Sequence, residues 1–359
     1  MKPSRPVVVA GMHRSGLSLA TALLGGLGVD LGPDSPTADA ESREGPSLGG
    51  GFSALNRRLV REACDAQKPG YPDWGWTEDG SFETSGLAAR RDEGRRLLER
   101  LGPRRGPWGF ADPLGVLVLD FWDGLLDDAR YVLVYRNPWE VADSMQRLGA
   151  DAFLRRPDYA AKIWSFYNRR VLEFYRRHAH RCALVSAEAL VERPTEVASS
   201  VTRKLGIELE TTSTPSEVFD GRRLTRVPPG DPWPRLFAAT YPGTLDVLGS
   251  LEAAADVPSG VDWSGRDGAG GPLAPHRRES SPGGPEPRVA VVIPCRDLGH
   301  LLGEAVASVE RSIAEPYELI VVDDGSTDPD TLEIMKRLRE AGYRIERQEP
   351  SGVCAARNR

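Results

Sequence analysis

At 359 residues the chain is long enough for two domains and too long for one compact core of ordinary size. Its net charge of -6 argues against a nucleic-acid binder held by phosphate neutralisation. Lysine occurs only at 2, 68, 162, 204 and 336, so wherever an anion is bound, arginine forks are expected to hold it. The cysteines at 64, 182, 295 and 354 are scattered, with neither zinc spacing nor a disulfide framework; no metal site is expected, and a reducing compartment fits them. No apolar leader precedes the first strand and no stretch approaches the ~18 apolar residues of a membrane span. The expectation is a soluble, cytoplasmic protein with no nucleic-acid partner.

Val7, Val8 and Val9 form a short buried strand, residues 11–16 a tight loop, and Leu19, Leu23, Leu24 and Leu27 recur at helical spacing. In a strand–loop–helix unit the unpaired N–H groups of loop and first helical turn converge with the positive end of the helix dipole, which favours an anion there. Gly11 and Gly16 have the spacing of an NTP-binding loop, but Leu17 stands where its lysine would be, which weakens a kinase or NTPase reading; the cation is Arg14 instead. Residues 30–53 read as a loop over the mouth of the site. Helices are expected over 54–65 and 90–101, the latter a basic, solvated face, with an aromatic turn cluster at 71–76 between them.

Residues 131–135, apolar throughout, read as a parallel strand covered on both faces. It ends at Arg136, after which Asn137 and Pro138 start a helix to about Leu148. A longer helix spans 158–178, a strand 182–185, and Pro194 opens a helix that Gly206 closes. Strands alternating with helices predict an α/β fold with a doubly wound parallel sheet over residues 1–255. From 256 to 287 Gly, Pro, Ser and Arg dominate, which predicts a linker. Order resumes over 288–359, with strands at 288–294, 317–322 and 343–346 and helices between them.

The run Gly-Met-His-Arg-Ser-Gly-Leu-Ser over 11–18 resembles the 5′-phosphosulfate loop, G-M-H-R-S-G-T-S, of bacterial sulfotransferases that use 3′-phosphoadenosine 5′-phosphosulfate (PAPS). Seven of the eight residues match. The resemblance implies a P-loop-type fold and a PAPS site built from Gly11, His13, Arg14, Ser15, Gly16 and Ser18. It also implies that Arg136 and Ser144, eight residues apart, hold the 3′-phosphate; read alone, the Arg136–Pro138 run is equally a strand exit and helix start. Agreement continues through Leu184–Pro194 and Lys204–Ile207.

Sulfuryl transfer needs donors aimed at the oxygens that gain charge and a base for the acceptor proton. Arg14 is the candidate for the first task, and Asp112 and Glu44 are candidates for the second. His13 is a further candidate base, and Asp112, before Pro113, is equally a helix cap. Four positions that are polar in the family are apolar here: Leu17, Leu48, Ala111 and Leu114.

Residues 291–294, 318–328 and 351–358 resemble the start of family 2 glycosyltransferases, whose GT-A fold is Rossmann-like. That implies nucleotide-sugar contacts at Pro294, Asp323, Asp324 and Arg357, with Asp324 accepting from the nucleotide base. The metal-binding residues and the catalytic base of that family lie further on than Arg359, so an incomplete domain is expected. The combined expectation is a sulfotransferase acting on a carbohydrate or glycoconjugate hydroxyl, fused to a partial glycosyltransferase; the alternative is a catalytically degenerate nucleotide-binding scaffold that serves the glycosyltransferase.

Overall fold

The computed structural model describes residues 5–32, 51–101, 106–206, 224, 226–228, 230–261, 289–312 and 317–358. Strand β1 (Pro6–Ala10), buried at every position, leads into helix α1 (Leu17–Gly26). Helices α2 (Gly51–Ala63) and α3 (Arg91–Leu101) precede strand β2 (Trp108–Ala111). Strand β3 (Arg130–Tyr135) runs into α4 (Pro138–Arg147). Then come α5 (Asp158–His178), β4 (Cys182–Ser186), α6 (Ala187–Glu192) and α7 (Pro194–Leu205). Helices α8 (Trp233–Thr240) and α9 (Gly243–Ala254) follow.

These strands form one parallel sheet in the order β2-β1-β3-β4. A sheet covered on both faces needs strands that are apolar throughout, and the Val-rich β1 and the Tyr-Val-Leu-Val-Tyr run of β3 meet that need. The core gathers Val7, Val9, Leu23, Leu24, Val132, Val134, Val185 and Leu190, each worth about 1.5–3 kcal/mol when fully buried. All four strands point the same way, so the loops after β1, β2, β3 and β4 share one edge of the sheet, where ligands of open α/β sheets bind.

The sequence does not announce β2, α6, α8 or α9. Segment 108–111 is short and has no β-branched residue, yet its Gly109 is required: a Cβ there would overlap the Val7 carbonyl oxygen of β1. After β2 the chain forms a 3-10 turn over Pro113–Val118 and a short α-helix over Leu119–Asp123.

A second sheet, all parallel in the order β5-β6-β7, is built from β5 (Val289–Cys295), β6 (Tyr317–Asp323) and β7 (Arg344–Arg347). Its helices are α10 (Gly299–Ser312) and α11 (Pro329–Glu340), the latter capped by Asp328, whose carboxylate accepts from Thr331 N–H at 2.8 Å.

The chain divides into two compact units, and residues 226–245, upstream of the expected linker, group with the second. Helix α8 packs on α10 and α11. It buries Trp233, Leu236 and Phe237, and Gly303 lets α10 approach so closely that a Cβ would stand 2.6 Å from Thr240 Oγ1. Residues 256–259, expected to open the linker, group with the first unit instead. Asp256 accepts from Leu184 N–H at 2.9 Å, and Val257 bridges Val185 of β4.

Burial raises the carboxyl of Glu304 on α10 from its ordinary value near 4.5 to about 7, with Arg311 opposing the shift. The folded protein then holds this proton where the unfolded chain has released it. Stability therefore falls as pH rises from about 4.5 to 7 and stays low above that. Glu304→Gln is expected to remove this slope and to stabilise the protein at pH 8 by on the order of 2 kcal/mol; urea titrations from pH 4.5 to 8 measure it.

Candidate functional site

The loop after β1 folds as it does because three backbone positions permit it. A Cβ at Gly11 would overlap the Val134 carbonyl oxygen of β3. Gly16 takes φ 86° at the start of α1, where a Cβ would lie 2.9 Å from Ala187. Between them Arg14 takes φ 65°, a left-handed conformation that costs a non-glycine residue about 1–3 kcal/mol. Such strain persists only where surrounding contacts fix it, and here they do. The Arg14 carbonyl accepts from Arg136 Nη1 at 3.0 Å, and Arg14 Nε donates to Ser144 Oγ at 2.8 Å.

Arg136 stands at the carboxyl end of β3 and is only 2% exposed. Its second terminal nitrogen reaches Glu140 at 3.3 Å, and its carbonyl accepts from the Trp164 indole of α5 at 2.9 Å. The next residue is held as firmly. Asn137 N–H donates to Glu188 Oε1 at 3.1 Å, and Glu188 in turn accepts from Ser186, the cap of α6, at 2.6 Å. Thus three residues expected to bind one ligand, Arg14, Arg136 and Ser144, meet in a single cluster.

His13 stacks on Trp74, ring centroids 4.1 Å apart and planes 18° from parallel. Burial first, and the Arg14 guanidinium second, push its imidazole down to about 3, so the ring is neutral at pH 7. His13 Nε2 and Ser15 Oγ are both buried without a hydrogen-bond partner among the described residues. Ser18 lies buried in the first turn of α1, its carbonyl accepting from Thr21 Oγ1 at 2.9 Å. Trp74 was visible in the sequence only as part of the aromatic cluster at 71–76; nothing local marks it as the partner of the loop. Its carbonyl accepts from Tyr167 of α5 at 2.7 Å.

On the other side of the loop, of the two readings of Asp112 the cap is the one the structure shows. It is the N-cap of the turn after β2, its Oδ1 accepting from Gly115 N–H and from Asn56 Nδ2, both at 3.1 Å. Burial pushes its carboxyl up, while hydrogen bonds from Ser53, Asn56 and the turn oppose the shift. Asn56 also accepts from the Trp122 indole at 2.7 Å, so the carboxylate belongs to a buried polar network that seats α2. Glu44 and Leu48 lie outside the described residues. Leu17, Ala111 and Leu114 are all buried, and Leu17 and Ala111 join the apolar core.

In the second unit Asp323 accepts from Ser326 N–H at 2.8 Å and from Arg347 Nη1 at 2.9 Å. Asp324 accepts from Gln348 Nε2 and Ser351 N–H, both at 2.8 Å, and from Gly352 N–H at 2.9 Å. The Gln348 amide and the Ser351 N–H hold its carboxyl below the usual range. Its own N–H donates to the carbonyl of Cys295, the residue after Pro294, so Pro294 and both aspartates share one strand edge. Arg357, exposed in a five-residue helix, makes no hydrogen bond or ion pair with them among the described residues.

A family model described as a sulfotransferase family matches residues 6–211, more than half of the chain. The chain belongs to the sulfotransferase family. Within this sulfotransferase a second family model, for glycosyl transferase family 2, matches residues 290–359. The chain is thus a transferase in which a sulfotransferase domain with a parallel sheet precedes a glycosyltransferase segment of GT-A type. No curated protein matches it. Among solved structures, the sulfotransferase domain of the Synechococcus PCC 7002 olefin synthase is 23% identical, covering 64% of this chain and 82% of its own, with a TM-score of 0.37. The sulfotransferase domain from the curacin biosynthetic pathway is 15% identical, covering 96% of this chain and 100% of its own, with a TM-score of 0.40. A sulfotransferase from Mycobacterium avium is 14% identical, covering 72% of this chain and 78% of its own, with a TM-score of 0.40.

Because Asp112 serves as a cap, Asp112→Ala is expected to cost about 1–2 kcal/mol of stability. Asp112→Asn, an equally good cap, is expected to restore most of it. Thermal denaturation of the two variants checks this, and equal losses in both would show that the negative charge, not the cap, is what matters.

Proposed function

We propose that the first unit binds PAPS across the loop at 11–16 and the Arg136–Ser144 pair and transfers its sulfuryl group to a hydroxyl of a carbohydrate or glycoconjugate. The observation that carries this reading is the Arg136–Arg14–Ser144 cluster, which joins two anion-binding elements from different strands at one sheet edge. The loop suits an anion: His13 Nε2 and Ser15 Oγ are buried polar atoms awaiting a partner. Gly11 and Gly16 also bring the backbone close, where N–H groups can face a phosphate.

The donor supplies a sulfuryl group attached to a phosphate leaving group. Arg14 and the loop N–H groups, with Gly11, His13, Ser15, Gly16 and Ser18, hold the 5′-phosphate and offset the charge it gains. Arg136 and Ser144 hold the 3′-phosphate. His13, neutral through burial, adds a hydrogen bond without adding charge. The carbohydrate acceptor rests on the fusion to a glycosyltransferase segment, where a nucleotide-sugar is placed at Pro294, Asp323, Asp324 and Arg357. Four free cysteines favour a reducing, cytoplasmic setting.

A second reading has its own observation. Leu17, Ala111 and Leu114 are buried apolar residues where polar groups would serve catalysis, and this favours a domain that binds the nucleotide without turning it over. Wild-type binding without sulfuryl transfer to any of a panel of sugars is its signature.

Calorimetry of the full chain with 3′-phosphoadenosine 5′-phosphate (PAP) tests the donor site. Arg14→Ala and Arg136→Ala are each expected to lose about 1.5–3 kcal/mol of binding, the range for charged hydrogen bonds. Absence of binding to the wild type would overturn the proposal.

A further inference from the structure

The arginines of α2 do not share one situation. Arg58 and Arg61, both exposed, pair with Glu93 and Asp73. Arg57 is different: its Nε is buried with no hydrogen-bond partner, and no carboxylate pairs with it among the described residues. A guanidinium nitrogen taken out of water and given no acceptor is a cost the fold bears unless a ligand supplies the acceptor.

Its position says which ligand. On α2, Arg57 follows Ser53 by one turn and precedes Val60 and Arg61 by another, so these residues lie along one face. Ser53 is buried and bonds to Asp112. Val60 packs against the turn at Gly75, and Arg61 reaches Asp73 at 3.2 Å. The turn at 72–75 carries Trp74, the residue stacked on His13. The face of α2 that bears Arg57 therefore runs between the Asp112 cap and the aromatic partner of the loop.

The order of the sheet adds direction. Asp112 follows β2, the loop follows β1 and Arg136 follows β3, and these strands are neighbours in that order. Arg57 is thus on the side of the loop opposite Arg136 and Ser144. A donor with its 3′-phosphate on the β3 side presents its sulfonate end toward the β2 side. The end of β2 has no cation of its own to offer there, since Ala111 and Leu114 are apolar and buried.

We propose that Arg57 binds the sulfonate oxygens of the donor and supplies from α2 the positive charge that the end of β2 lacks. The assignment rests on the donor site proposed above and adds the residue that reads the transferred group. PAPS and PAP differ by the sulfonate alone, so a pair of titrations isolates the contact. In calorimetry of the full chain, Arg57→Ala is expected to weaken PAPS at least tenfold and PAP less than twofold. Arg57→Lys, which keeps the charge but not the fork, should fall between wild type and Arg57→Ala for PAPS. Arg14→Ala, by contrast, should weaken both ligands. Equal weakening of PAPS and PAP by Arg57→Ala, or no weakening of either, would overturn the assignment while leaving the donor site standing. A wild type that binds neither ligand would remove the donor site itself, and this assignment with it.

Discussion

The site depends on one hydrogen bond, from the Arg136 guanidinium to the carbonyl of Arg14. A guanidinium this buried is costly unless its donors are used, and an arginine in the left-handed region is costly unless something fixes it there. Each residue answers the other's need. The bond fastens the loop after β1 to the exit of β3, and the Arg14 side chain then turns back to Ser144 on α4. Glu140, also on α4, and Trp164 and, through Asn137, Glu188 from two further helices hold the same exit. A phosphate-sized anion in the loop would therefore meet a frame already set, with His13 Nε2 and Ser15 Oγ as the polar atoms still to be satisfied.

The β2 side of the loop follows a different logic. There the buried Asp112, Asn56 and Trp122 satisfy one another and seat α2 against the sheet. A carboxylate that already accepts from a side-chain amide, a hydroxyl and a turn N–H is committed to structure. The orphaned nitrogen of Arg57 is, by contrast, a buried polar atom on this side that no partner uses among the described residues.

What could be read from the sequence was what is local. Gly11, Arg14 and Gly16 declare their loop by spacing, β3 declares itself by an unbroken apolar run and α5 by its period; α5 spans 158–178 as the period predicts. Arg136 and Ser144 were singled out by the resemblance to the sulfotransferases, since the run at 136–138 alone is equally a strand exit and helix start. Trp74 was not, because its meaning lies in its stack on His13, far away in the chain; nor was Arg57, whose buried nitrogen, without a partner among the described residues, no local pattern marks. The same holds for Glu188, whose carboxylate reaches 51 residues back to Asn137. Strand β2 escaped notice for a related reason: four residues with a glycine at the second position carry no period, and only the neighbouring β1 makes them a strand. Asp112 shows the limit from the other direction: its position before Pro113 fits both a cap and a base, and its hydrogen bonds to Gly115 and Asn56 show the cap.

Helix α8 extends this argument from the site to the division of the chain. In sequence it lies upstream of a stretch rich in glycine and proline, within the span expected for the first domain. Physically it is part of the second unit, because Leu236 and Phe237 are fully buried and Thr240 packs directly on Gly303. Arg235 completes the fit, bonding Glu310 at 3.0 Å and Tyr343 at 2.8 Å, while Tyr343 donates to Glu310 at 2.7 Å. A buried charge pair with a shared tyrosine is unfavourable if any one member is missing, so α8, α10 and the start of β7 specify one another. The helical layer over the second sheet is therefore assembled from segments on both sides of the stretch that composition marks as a linker. Composition does not say which core each flanking segment joins; that is decided by where Leu236 and Phe237 can be buried and Arg235 can be paired.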